Sequence, residues 1–439
     1  MLLLIAAAGC YVGIIIARQG PPRGGDTTPL TTVTSDLSSG QLHAAAANDS
    51  LPNPPGYALL VAPLVAAFPS LVGSPTWCTT PTRAAVLRPV PTSRASPSFA
   101  SDVAECGSGQ RLPDGRRGPT LPPWYRAQGV LGLLAWLVLA LGSMALLRAA
   151  GVDTLGAQAG LLAFLAILPS ASSAIVQLYH PQDIVSLGLS LAGLAQVLRR
   201  RWVLSGVLFG VACLTKQFAV LLLLPALAAA PDGRSRLRMA VAAAAVFGAG
   251  ILPFLIVAPR ATLENLSGFS AGGAVAGSTV LTLLGVTGTV ASAVARDAPV
   301  AFAVVVSLWA IRRFGTSLSR PPVLLALALA CMGSRLVFES VIFAYYLLGT
   351  SVLFFMVDLV ARRSPHKSLA WCAAAAFFVA LHPANRTVDA LGTLLLAVAA
   401  VGAGFLDLFR QREDSPCPTA ESGGEAGRRS AAGTGPQTT

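Results

Sequence analysis

Apolar runs of helical length alternate with short polar stretches along most of the chain. They cover residues 1–17, the stretch ending at Arg148, 155–178, 184–198, 202–230, 239–257, 298–311, 321–338, 341–360, 368–382 and 388–408. None shows the alternation of a strand, so each predicts a helix, and runs of this length predict helices that cross a bilayer. Basic clusters separate them: Arg148; Arg199, Arg200 and Arg201; Arg234, Arg236 and Arg238; Arg312, Arg313 and Arg320; Arg362, Arg363 and Lys367; Arg410 and Arg412. Such clusters mark cytoplasmic ends of spans. An even number of crossings must then lie between successive clusters.

The run 202–230 strains that rule. It is 29 residues long, and as one helix it would put its flanking arginines on opposite sides. A hairpin of two short helices, 202–214 and 217–230, broken at "LTKQ", restores the parity. Lys216 then sits at a helix break at membrane depth, where irregular backbone is tolerated only if it lines a cavity. It is one of only two lysines beside 29 arginines, and an intramembrane cation points to a functional site.

The expected architecture is all-α: a polytopic membrane protein of about 12 transmembrane helices including a pair of short helices, with a large first extracytoplasmic loop. The segments are a first transmembrane helix (1–17), an extracytoplasmic loop (18–127) with an interfacial helix (56–73), a transmembrane bundle (128–412), and a disordered cytoplasmic tail (413–439) low in hydrophobes. Residues 275–295 read as interfacial. Composition agrees: 54% of residues are hydrophobic, only 11% are charged, and mean hydropathy is +0.67. The net charge of +12 comes from arginines between apolar runs, so it is no nucleic-acid signal. No C-x-x-C or H-x-x-x-H metal spacing is present. Four of the seven cysteines lie in apolar runs. Cys78 and Cys106 share the first loop, where an oxidising compartment makes a disulfide between them an expectation.

Several polar groups stand out against this background. The first loop carries Asp26, Asp36 and Asp49 ahead of "NPPGYALLVAPL", which holds Tyr57. The turn "LYHPQD" carries His180, Gln182 and Asp183, and Asp183 there is also placed to cap its own helix. Arg335 and Glu339 are four apart, as are Arg260 and Glu264, the spacing of a helical ion pair.

The stretch from "HPQD" through three arginines to "G-x-x-x-G-x-x-x-L-T-K" (Gly206, Gly210, Leu214, Thr215, Lys216, then Pro225) resembles the C-type (GT-C) polyprenyl-phosphate-dependent membrane glycosyltransferases. The nearest branch is the bacterial mannosyltransferase-like set, glycosyltransferase family 87 and its relatives. "NPPGYALLVAPL" is similar to the end of that family's first outer loop. The resemblance covers about residues 30–70 and 155–260. It implies transfer of a mannose- or arabinose-like sugar from a polyprenyl-phosphate donor to an extracytoplasmic glycan or glycolipid acceptor of the cell envelope, at the plasma membrane, with inversion at the anomeric carbon and no cofactor. Diphosphate users of the same superfamily do need a divalent metal.

Such transfer needs a carboxylate to take the acceptor's proton and cations to stabilise the departing phosphate. Asp36 suits the base. Asp26 stays the alternative, because the aromatics that often follow the family's acid are missing after "TSDLSSGQLHA". Lys216, Arg335 and Arg260 suit the donor phosphate. His180, Gln182, Asp183, Tyr57 and Glu339 suit the substrate. Two other readings compete: a transporter or flippase for a lipid-linked or anionic substrate, since a broken helix with a cation at the break also suits transport, and a non-catalytic partner in envelope assembly.

Overall fold

The computed structural model describes residues 2–19, 27–46, 54–68, 123–177, 179–267, 279–286, 288–339, 342–380 and 386–413. Asp26, Asp49, Cys78, Cys106 and the tail from 414 lie outside the described residues. Among the described residues there are only helices and their connections, with no strand.

Among the described residues, five helices are long and apolar enough to cross a membrane, and a sixth forms if the bent pair Leu155–Ile167 and Pro169–Val176 is one span. That number does not confirm the expected twelve or so crossings. Trp202–Thr215, Gln217–Ala229 and Ala344–Val360 are apolar but short. At 1.5 Å per residue, 14 residues rise about 21 Å, less than a bilayer core of about 30 Å. Other boundaries move as well. The run 155–178 bends by 49° at Leu168, where Pro169 cannot continue the helix. The run expected at 298–311 begins earlier, in a helix Gly288–Phe314 that takes in residues 288–295 of the segment read as interfacial. The helix expected over 56–73 spans Gly56–Ala67, and Phe68 ends it.

The close contacts of small residues give the direction of each helix. Gly206 faces Met239, Gly210 faces Ala243 and Val246, and Leu214 reaches Gly250, so Trp202–Thr215 and Gly233–Val257 run parallel. Pro181–Leu198 runs against them: Ser186 Oγ donates to Ala212 O and Ser205 Oγ to Gly193 O, each at 3.0 Å. Trp136 Nε1 donates to Leu165 O, and Gly132 sits against Ile175, so the chain climbs from Arg148 back to His180. Pro321–Phe338 and Arg386–Glu413 are antiparallel, with Gly333 beside Ala400 and Gly404 beside Ala326. Arg363 pairs with Asp407. Arg335 lies over the Phe218 ring, which joins the two halves at the Lys216 end. Arg148, Arg199–Arg201, Arg234–Arg238, Arg312, Arg320, Arg363 and Arg410 thus gather at one end of the bundle. His180, Asp183, Lys216, Arg335 and Glu339 gather at the other.

The hairpin around Lys216 has the expected sense. Its arms scarcely touch. Trp202–Thr215 packs on Pro181–Leu198 and Gly233–Val257, while Val220–Ala229 packs on Gly288–Phe314 and Pro321–Phe338. Splayed arms leave room at the break.

Small residues allow this density, as in membrane bundles generally. The tightest approach joins Pro123–Ala149 to Pro181–Leu198. A Cβ at Gly142 would overlap the carbonyl oxygen of Gly188, and one at Gly188 would lie 2.7 Å from Leu139 N. Gly142→Ala is expected to destabilise the protein by about 1–3 kcal/mol through overpacking, read as a lowered midpoint of thermal unfolding in detergent. Gly248→Ala, where a Cβ meets nothing within 4 Å, is the matched control with no loss.

Candidate active site

The break at Lys216 places the site. The preceding helix ends at Thr215, and Lys216 is extended, at φ −156° and ψ 132°. A break at this depth exposes carbonyl groups, and Ser186 on the neighbouring helix donates to the oxygens of Ala212 and, at 3.5 Å, Lys216. Gln217 Nε2 donates to Leu266 O. These bonds fix the turn that aims the Lys216 side chain.

That side chain is buried and meets Asp183, with Nζ 3.3 Å from Oδ2. Asp183 does not act as the helix cap that its position allows. Its carboxylate accepts no hydrogen bond among the described residues and turns to the lysine instead. His180 precedes it, with Nδ1 3.9 Å from Asp183 Oδ2 and 3.3 Å from Gln182 Nε2. The imidazole stacks on Tyr345 at 4.0 Å between centroids. Tyr179 takes a left-handed φ of 48°. For a residue with a large side chain that is strain of about 1–3 kcal/mol, held here at the corner that presents His180 and Asp183.

A second buried pair lies beside the first. Arg335 Nε is 3.3 Å from Glu339 Oε2. The helix Pro321–Phe338 ends just before Glu339, which is extended, so the pair closes across the helix end rather than along its face. The guanidinium lies 4.2 Å over the Tyr346 ring and 4.8 Å from that of Phe218, a cation–π enclosure. Two cations and two carboxylates thus balance, because unpaired charge is too costly to bury.

A cavity of about 120 Å³ opens against both cations. Its polar lining is Lys216, Gln217, Arg335, Glu339 and Arg296, and its apolar lining includes Phe218, Leu221, Pro299 and Val300. The polar groups can hold an anion and the apolar ones a hydrocarbon. Arg296 and Phe218 escaped the sequence reading. Nothing in "SAVARDAPV" separates Arg296 from the ordinary polar edge of a run.

The first segment abuts this end. A Cβ at Gly56 would overlap the carbonyl oxygen of Leu214 and lie 2.7 Å from Thr215 N, so only glycine lets "NPPGY" lie on the backbone before Lys216. Tyr57 is buried and meets the side chain of Tyr179. Asp36 is half-buried, near the end of the helix Thr27–Ser38, which packs on Gly56–Ala67. A short helix of small residues, Leu42–Ala46, follows it. Asp36 does not line the cavity. Arg260 is exposed and paired with Glu264 at 2.8 Å, also outside the cavity lining. Among the described residues no group of three His, Cys, Asp or Glu side chains is placed to hold a metal.

The family model of glycosyltransferase family 87 matches residues 119–338. That is half of the chain. It takes in His180, Gln182, Asp183, Lys216, Arg260 and Arg335, and leaves out residues 30–70 and Glu339. No curated protein and no solved structure matches significantly. The matched half carries the broken helix and all but one of the charges gathered around it, and on that match the chain belongs to glycosyltransferase family 87.

Proposed function

We propose that this membrane glycosyltransferase takes a mannose- or arabinose-like sugar from polyprenyl phosphate and places it on a glycan or glycolipid of the cell envelope. One observation carries the reading: Lys216 and Arg335, far apart in sequence, reach a single cavity with an apolar wall. Lys216 and Arg335 hold the donor phosphate. The bond from the anomeric carbon to the phosphate oxygen breaks, and polyprenyl phosphate leaves with the electron pair. The acceptor hydroxyl attacks from the opposite face, which inverts the centre, and its proton goes to Asp36. Charge building on the leaving phosphate is met by cations already in place, where a low dielectric strengthens them. Asp183, with acceptor capacity to spare, and His180, Gln182, Tyr57 and Glu339 orient the sugar and the acceptor. No cofactor is invoked. The arginine-rich end faces the cytoplasm by the positive-inside rule, so the site faces outward.

The test is transfer by purified protein in detergent from a synthetic polyprenyl-phosphate mannose or arabinose to a glycolipid acceptor. Product with inverted stereochemistry is expected, and none from a nucleotide sugar. Failure to transfer, together with movement of the lipid-linked sugar across sealed vesicles containing the protein, would establish the transporter reading instead.

A further inference from the structure

The cavity's third cation differs from the other two. Lys216 and Arg335 are buried, and each is neutralised by a buried carboxylate. Arg296 comes from a different wall, the helix Gly288–Phe314, at the start of its membrane-length portion. Its side chain is 40% exposed, and among its partners is the adjacent Asp297, 64% exposed. The pair is two-pronged: Nε donates to Oδ1 at 2.8 Å and Nη2 to Oδ2 at 2.9 Å. This parallel fork is the geometry by which arginine also grips two oxygens of a phosphate. An exposed pair of this kind is weak, so exchanging its carboxylate for another anion costs little. Separating Lys216 from Asp183 would instead strand a buried charge.

We propose that Arg296 is the residue that captures the ligand's phosphate at the mouth of the cavity, and that Asp297 holds the guanidinium fork ready until the phosphate displaces it. Recognition is of a phosphate ester whose hydrocarbon lies along Phe218, Leu221 and Val300. This rests on the cavity being the donor-phosphate site. It adds a phosphate-binding residue from a helix other than those carrying the two buried pairs, and a carboxylate that competes with the ligand.

Equilibrium binding of farnesyl phosphate to the purified protein tests it, with farnesol as the uncharged control and inorganic phosphate as the control without a tail. Arg296→Gln is expected to weaken farnesyl phosphate about tenfold or more, the range of a charge-assisted hydrogen bond, without changing farnesol binding. Arg296→Lys should recover only part, since a point charge lacks the fork. Asp297→Asn should tighten binding, because the competing anion is gone. In turnover, Arg296→Gln should raise KM more than it lowers kcat, as expected for a capture step. If inorganic phosphate binds as tightly as farnesyl phosphate, the apolar wall takes no part and the assignment to a lipid phosphate is wrong. If Lys216→Ala abolishes farnesyl phosphate binding while Arg296→Gln and Asp297→Asn leave it unchanged, this inference is overturned and the donor site stands. If wild-type protein binds farnesyl phosphate no better than farnesol, both fall together.

Discussion

Lys216→Ala is expected to abolish sugar transfer and to weaken the fold at the same time. The lysine balances Asp183 in the protein interior. Removing it leaves a buried carboxylate alone, a loss of about 3–5 kcal/mol, which should appear as a lower unfolding midpoint in detergent. Loss of a preorganised cation at the leaving phosphate should cost about 10²–10³ in kcat. The two effects can be separated. In the double variant Lys216→Met with Asp183→Asn, no charge is stranded, so most of the stability should return while transfer stays absent. Lys216→Arg should be partly active at best, because a planar fork does not fit a slot shaped for a point charge. If the double variant recovered transfer along with stability, Lys216 would be a structural partner of Asp183 and nothing more.

Asp36→Asn is expected to leave a folded protein that binds farnesyl phosphate yet turns over about 10²–10⁴ times more slowly, the worth of a general base. Asparagine keeps the shape and cannot take the proton. Asp183 and Glu339 are engaged with Lys216 and Arg335, which suits them to holding cations and substrate hydroxyls rather than receiving a proton. Asp36 stands on the helix that packs against Gly56–Ala67, beside the Lys216 end. The measurement is single-turnover transfer by the purified variant at saturating donor. Full activity in Asp36→Asn with none in Asp26→Asn would move the base to Asp26 and keep the reaction. Full activity in both would remove the first segment from the chemistry.

The organisation of the bundle was legible in the chain to different depths. Arginine clusters at 148, 199–201, 234–238, 320, 363 and 410 predict one common end, and helix directions read from Gly206, Gly210 and Gly333 place them there. The break at Lys216 was visible because a single helix over 202–230 would put its flanking arginines on opposite sides of the membrane. Helix lengths were harder. The start of Gly288–Phe314 hides in small and polar residues with little hydropathy, and the bend at Leu168 needs the proline to be weighed against an otherwise apolar run. The cap reading of Asp183 failed because local chemistry favoured a backbone partner while the fold offered a buried lysine 33 residues further on.

Sequence by itself determined the class, an all-helical membrane protein, and the common end of the bundle at which the arginine clusters gather. Both follow from one-dimensional quantities: the length of apolar runs and the spacing of positive charge. Only the tertiary structure decided the partners. Asp183 with Lys216, Arg335 with Phe218 and Tyr346, Gly56 with Leu214, and Arg296 lining the same cavity as Lys216 and Arg335 are all meetings between separate segments. Buried charge settles on whichever partner the packing brings within about 3–4 Å, and that choice is made by helix packing, which no local pattern records.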